Sequence, residues 1–179
     1  MMTTENAALV LIDVQEKLLR AMHNPENLLQ NLKKMVNGAR LLGLPIVWTE
    51  QNPAGLGPTV PEIAELLPDH RPLSKFSFSC CGSETFMKDL KALDRKKLLT
   101  AGIEAHVCVY QTVADLINLQ FDVEVVVDAV ASRTPENRAI GLEKSKAAGA
   151  GLTSVETVLF ELLKEARGER FKEISNLVK

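Results

Sequence analysis

Residues 7–13 read Ala-Ala-Leu-Val-Leu-Ile-Asp, six apolar residues without a polar break and then a carboxylate. A strand with one wet face alternates apolar and polar residues. An unbroken run is what a strand buried on both faces requires, as in a parallel sheet covered by helices. Runs of the same character recur at Leu44 to Trp48, Lys97 to Ala101 and Val123 to Val127. The segments between them carry apolar residues at helical spacing. From Asn27 to Leu42 the stripe is Leu28, Leu32, Met35, Val36 and Ala39, closed by Gly43 as a C-terminal cap. Ser83 caps a second helix reaching Leu93, and a third runs from Val107 to Leu119, starting almost directly after a strand. Thr134-Pro135 starts a fourth, to about Ala147, with proline where its missing N–H costs nothing. Gly151 to Thr153 is a last short strand, followed by a helix through Val155, Val158, Leu159 and Leu162. Strands alternating with helices along residues 1–179 predict one α/β domain, a mostly parallel sheet with helices on both faces. Glu50 to Ser79, with seven prolines and glycines from Pro53 to Pro72, is too irregular for a long element. It leaves the carboxyl end of a strand, where ligands of open α/β sheets bind, and is expected to cover the site.

Composition narrows the function. At 179 residues with 46% hydrophobic content the chain can bury a full core. Twenty-one basic against 23 acidic residues give a net charge of −2, with no long run of one sign, so no nucleic-acid or acidic-membrane partner is expected. No apolar stretch approaches the roughly 20 residues of a membrane span. The first residues, MMTTENAALVLID, show no basic region or cleavage site of an export signal, so a cytoplasmic location is expected. Three cysteines, two of them adjacent, suit free thiols better than a disulfide framework or a zinc site.

Three reactive side chains fall near the predicted strand ends. Asp13 closes an apolar run and is a candidate base, the plain alternative being a turn or cap aspartate. Cys108 lies at the first turn of a helix, where the dipole and free N–H groups favour a thiolate, although a cysteine is as often an inert core residue. Lys75 sits in the otherwise uncharged stretch PLSKFSFSCCG, where Phe76 and Phe78 are expected to wall an apolar pocket; a solvated loop lysine is the alternative. Together the three would make a base, a nucleophile and a positioning cation. Gln15, Gln51, Phe76, Phe78, His106 and Tyr110 flank these motifs and are candidate substrate contacts.

In order and separation, ALVLIDVQ, PLSKFSFS and AGIEAHVCVYQT resemble the motifs of the isochorismatase-like cysteine hydrolases. TEQNPAGLGPTVPEI and VVVDAVASR look closest to the isochorismatase-domain-containing proteins of undefined activity. The resemblance implies a three-layer α/β/α fold with a six-stranded, mainly parallel sheet and a catalytic Asp13, Lys75 and Cys108. It also implies a cis peptide at Ile103-Glu104 that aims the backbone N–H groups of Glu104 and Cys108 at an oxyanion, and a homo-oligomer. Nicotinamidases of this superfamily bind a metal through Asp-x-His after the second strand. This chain has Thr49-Glu50-Gln51-Asn52 there, so no metal or other cofactor is expected. Isochorismatases proper cleave a vinyl ether and need no cysteine, so Cys108 points instead to hydrolysis of a small amide or carbamoyl-type C–N bond through a thioester.

Two rival readings compete. A nucleotide-binding module is weak, because DVQEKL, not a glycine-rich phosphate loop, follows the first strand. The other is a catalytically silent thiol redox sensor or oligomeric scaffold of the same fold.

Overall fold

Among the described residues, five strand pairings, all parallel, join six strands in the order β3-β2-β1-β4-β5-β6. The computed structural model describes residues 2–179. The strands are β1 (Ala7–Ile12), β2 (Ile46–Gln51), β3 (Leu73–Lys75), β4 (Lys97–Ile103), β5 (Asp122–Ala131) and β6 (Gly151–Thr153). The helices are α1 (Glu16–Leu19), α2 (Pro25–Leu42), α3 (Pro53–Leu56), α4 (Pro61–Ala64), α5 (Glu84–Ala92), α6 (Tyr110–Asn118), α7 (Pro135–Ala147), α8 (Val155–Leu163) and α9 (Glu169–Val178). All six residues of β1 are buried, as a strand covered on both faces must be. Alternate β1 residues enter two apolar clusters. Leu9 and Leu11 join Leu32, Met35, Val36 and Leu159 on one face, while Val10 and Ile12 join Phe86, Leu90, Val113 and Leu116 on the other. The sheet is thus the middle of three layers.

The caps read from sequence are made. Gly43 closes α2 at φ 73, Ser83 accepts the N–H of Phe86 ahead of α5, and Thr134 accepts that of Asn137 ahead of α7, with Pro135 in its first turn. Boundaries differ where polar residues enter the sheet. β2 runs on through Thr49, Glu50 and Gln51, because β3 pairs with those three residues and hydrogen bonds satisfy their side chains. Glu50 to Ser79 therefore holds a strand end, two one-turn helices and an edge strand. Its path is fixed by Glu50 Oε1, which accepts from the Thr59 N–H and hydroxyl at 2.6 and 2.8 Å, and by the Gln15–Thr59 bridge. β5 is longer than its apolar core because it bulges: Thr100 pairs with Val125, but Gly102 already pairs with Val130. α9 has no counterpart in the sequence reading.

The order of the strands places the site. The chain leaves β1 toward β2 on one side, and β4 lies on the other, so β1 and β4 flank the point where the topology reverses. Asp13 directly follows β1, and Cys108 follows β4 by five residues. Gly102 allows the two strand ends to approach: at φ 116, a Cβ there would lie 2.0 Å from the Ile12 carbonyl oxygen.

Candidate active site

The ammonium of Lys75, last residue of β3, lies 2.6 Å from Oδ2 of Asp13, and both side chains are fully buried. Asp13 turns sharply off its strand with φ 53, a left-handed conformation that aspartate tolerates better than most residues. Its other oxygen accepts the Thr49 hydroxyl at 2.8 Å. Beyond Asp13, the Lys75 Nζ meets Gln51 Oε1 at 2.8 Å and the carbonyls of Phe78 and Ser77 at 3.0 and 3.2 Å. An unpaired buried charge costs several kcal/mol, about the loss expected on removing one partner, so these oxygens are what let an ammonium remain in the interior.

Cys108 adjoins this pair. Burial first, and then the negative charge of Asp13, push its thiol up to about 12, against the opposing pull of Lys75. The expected resting thiolate is thus corrected. Cys108 does not stand at the open N-terminus of an α-helix but inside a π-helical turn, Ala105–Val109, ahead of α6, with 6% of its surface exposed. Desolvation there outweighs any helix dipole. What the site holds is a protonated thiol near a buried, ion-paired carboxylate.

The peptide bond between Ile103 and Glu104 is cis. The Glu104 carbonyl accepts from the N–H groups of Val107 and Val109, on either side of Cys108. The Glu104 carboxylate pairs with Arg133 at 3.0 Å, outside the ion-pair cluster. Gly141 of α7 packs on this turn so closely that a Cβ would lie 2.5 Å from the Ala105 carbonyl oxygen.

The flanking residues behave differently from expectation. Phe76 and Phe78 do not wall a pocket around Lys75: they are 80% and 55% exposed, and the lysine is surrounded by oxygens. The backbone carbonyls of Phe76, Ser77 and Phe78 face Gln51 and Lys75, while the two rings are exposed. Gln15 is fully buried and its amide is spent on the backbone of Gln51 and the carbonyl of Gly57, which leaves it nothing to offer a ligand. Gln51 holds Lys75 and, through Nε2, the carbonyl of Phe76 at 2.7 Å. His106 puts Nδ1 2.9 Å from the Ser132 hydroxyl, and the ring of Tyr110 lies 4.7 Å from the Lys144 ammonium, so both engage groups beyond the ion pair. Two residues outside the candidate set read from sequence belong to the cluster: Thr49, and buried Cys80, whose sulfur is 3.6 Å from the Thr49 hydroxyl. Their only sequence signal is position, at a strand end and five residues after Lys75. Burial raises the Cys80 thiol to about 11.

Residues 7–157 match the model of the isochorismatase domain. The chain belongs to the isochorismatase family. Isochorismatase domain-containing protein 2 of Danio rerio is 36% identical over 179 residues, covering 99% of this chain and 89% of that protein. A secreted isochorismatase effector, Isc1, of Phytophthora sojae is 39% identical over 178 residues, covering 97% of this chain and 85% of the effector. Among solved structures, the MAR1 ribonuclease of Caenorhabditis elegans superposes with TM-score 0.92 at 35% identity, covering 99% of this chain and 91% of that one. YcaC of Escherichia coli, an octameric hydrolase of unknown specificity, does so with TM-score 0.90 at 27% identity over 99% and 94%. Hydrolysis is the reaction type common in this isochorismatase-like superfamily. Among the described residues of this isochorismatase-family chain, no helix is long and apolar enough to cross a membrane.

Proposed function

We propose that the protein is a cysteine hydrolase acting on a small amide or carbamoyl-type C–N bond. The observation that carries this reading is the fully buried ion pair of Asp13 and Lys75, 2.6 Å apart, whose opposite charges both act on the Cys108 thiol. Asp13 takes the thiol proton as the sulfur attacks the substrate carbonyl carbon, so charge moves from one Lys75-stabilised anion to its neighbour. The tetrahedral oxyanion receives the backbone N–H groups of Glu104 and Cys108, a type of donor worth about 3 kcal/mol each in enzymes that have lost one. The C–N bond breaks as Asp13 returns the proton to the leaving nitrogen, leaving a thioester on Cys108. Asp13 then takes a proton from water, whose oxygen attacks the thioester and releases the acid and the thiol.

The scheme uses no metal. The side chains of Thr49, Glu50 and Gln51 are committed to Asp13, Thr59 and Lys75, and the stretch carries no imidazole. Activity that vanishes with a chelator and returns with zinc contradicts this part. Polymeric RNA is disfavoured as a substrate by the net charge of −2. Three free thiols favour a reducing, cytoplasmic setting.

The working form is proposed to be a homo-oligomer in which a second copy covers Phe76 and Phe78. Two exposed aromatic rings within three residues, beside the ion pair, and the octameric state of E. coli YcaC support this. Clefts of about 340 Å³ beside Trp48 and Asp89 and about 320 Å³ beside Leu42 and Arg170 are not lined by Cys108. A substrate cavity walled partly by a neighbour fits that arrangement. The reading is tested with a panel of small amides, ureas and carbamoyl compounds, release of ammonia or amine being followed in the natural protein and in Cys108→Ala.

A further inference from the structure

Both members of the buried ion pair are held by one strand end. Thr49 and Gln51 are two residues apart on β2 and so share a face of the sheet. Thr49 reaches Asp13, and Gln51 reaches Lys75. Gln51 is tied on every side: Oε1 accepts from Lys75 Nζ at 2.8 Å, Nε2 donates to the Phe76 carbonyl at 2.7 Å, and its backbone N–H donates to Gln15 Oε1 at 2.7 Å. Lys75 has three N–H bonds facing four oxygens, at 2.6 Å (Asp13), 2.8 Å (Gln51), 3.0 Å (Phe78) and 3.2 Å (Ser77). Which bonds it makes depends on how firmly each oxygen is held. The two weakest acceptors belong to the turn whose first carbonyl Gln51 fastens.

We propose that Gln51 is a positioning residue: its one amide holds the Lys75 ammonium against Asp13 and anchors the Phe76–Phe78 turn, keeping the Asp13 carboxylate aimed at the Cys108 thiol. This rests on the cysteine-hydrolase reading. Gln51 touches no reacting atom in that scheme and acts through Lys75. The titratable groups that act on Cys108 are Asp13, Lys75 and Cys80. Gln51→Glu adds a further anion beside the ammonium and offsets its charge, whereas Gln51→Met keeps the length and removes both hydrogen bonds.

The test is the rate at which acrylamide alkylates Cys108 as a function of pH, read by peptide mass mapping, with melting temperature measured alongside. The expected result is a profile displaced upward by about one pH unit in Gln51→Glu, or about tenfold slower labelling at a given pH. Gln51→Met is expected to label more slowly as well, by about threefold or more, because the cation drifts from its place. A glutamine that only braced the fold would lower the melting temperature and leave the profile of the folded protein where it was. Profiles superimposable on the natural protein in both variants overturn the proposal; so does a shift in Gln51→Glu alone, which any added carboxylate would cause. Asp13→Asn is run in the same series. If it fails to move the profile, the hydrolase reading falls with the proposal; if it moves the profile and neither Gln51 variant does, only the role of Gln51 falls.

Discussion

Lys75 Nζ and Asp13 Oδ2 lie 2.6 Å apart with no solvent on either side chain, although 62 residues separate them in the chain. A pair of this kind adds little net stability, since desolvation cancels much of the attraction, but it is costly to break. Lys75→Met is expected to destabilise the fold by about 3–5 kcal/mol, because Asp13 is left charged and buried. Denaturant unfolding of Lys75→Met, Asp13→Leu and the double variant checks this. The double variant should lose clearly less than the sum of the two singles, and additive losses would show that the pair is not coupled.

Thiol reactivity should follow the buried, protonated state of Cys108. With the thiol held up near about 12, the alkylation rate of the free protein is expected to climb roughly tenfold per pH unit through neutral and mildly alkaline pH, without a plateau. A plateau near neutrality in an iodoacetamide profile would mean a resting thiolate.

The same cause acts on stability. Burial raises Cys80 to about 11 and Cys81 and Cys108 to about 12 from an ordinary 9.0. The folded chain therefore keeps these protons at a pH where the unfolded chain has lost them. The unfolded state then binds fewer protons, and stability falls as pH rises. Their contribution is fully present below 9.0 and is lost progressively toward about 12. Urea midpoints taken on either side of pH 9 should decline, and replacing Cys80 by Ala should flatten the decline.

Gly102 offers a test of how the strand ends meet. A Cβ placed 2.0 Å from the Ile12 carbonyl has no flexible side chain to push aside, and the residue also sits at φ 116. Gly102→Ala is expected to cost more than about 3 kcal/mol or prevent folding, a loss of the size tied to close-packed or strained backbone. Thermal unfolding within a few degrees of the natural protein would contradict the geometry.

Phe76 and Phe78 test the proposed assembly. Changing both to Ser removes exposed apolar area without touching the carbonyls that face Lys75. Light scattering is expected to show dissociation to smaller species with helix content intact, and an unchanged mass would place the interface elsewhere.

The layers of the fold were legible because β1, β4 and β5 are buried on both faces, so their apolar runs stand out from the helical spacing around them. Asp13 was legible for the same reason, as the charge that ends such a run. β3 was not: only Lys75 of its three residues is buried, and polar neighbours gave it no pattern. Nor was the setting of Cys108. The π-helical turn, packed against Gly141, has no signature in the periodicity, and burial there reverses the acidity expected of a helix start. Gln15 and Gln51 looked like ligand contacts because they are polar residues at strand ends. The Gln15 amide is instead consumed by backbone groups of Gln51 and Gly57, and the Gln51 amide by the Lys75 ammonium and the Phe76 carbonyl, partners distant in sequence that no local pattern encodes.

The most direct measurement is the intact mass of the protein after brief incubation with a library of small amides and carbamoyl compounds, quenched in acid. The account predicts a mass increase equal to the acyl part of one library member, mapping to Cys108 and absent from Cys108→Ala and Asp13→Asn. Turnover of a library member by Cys108→Ala at the natural rate, with no adduct on any thiol, would contradict it.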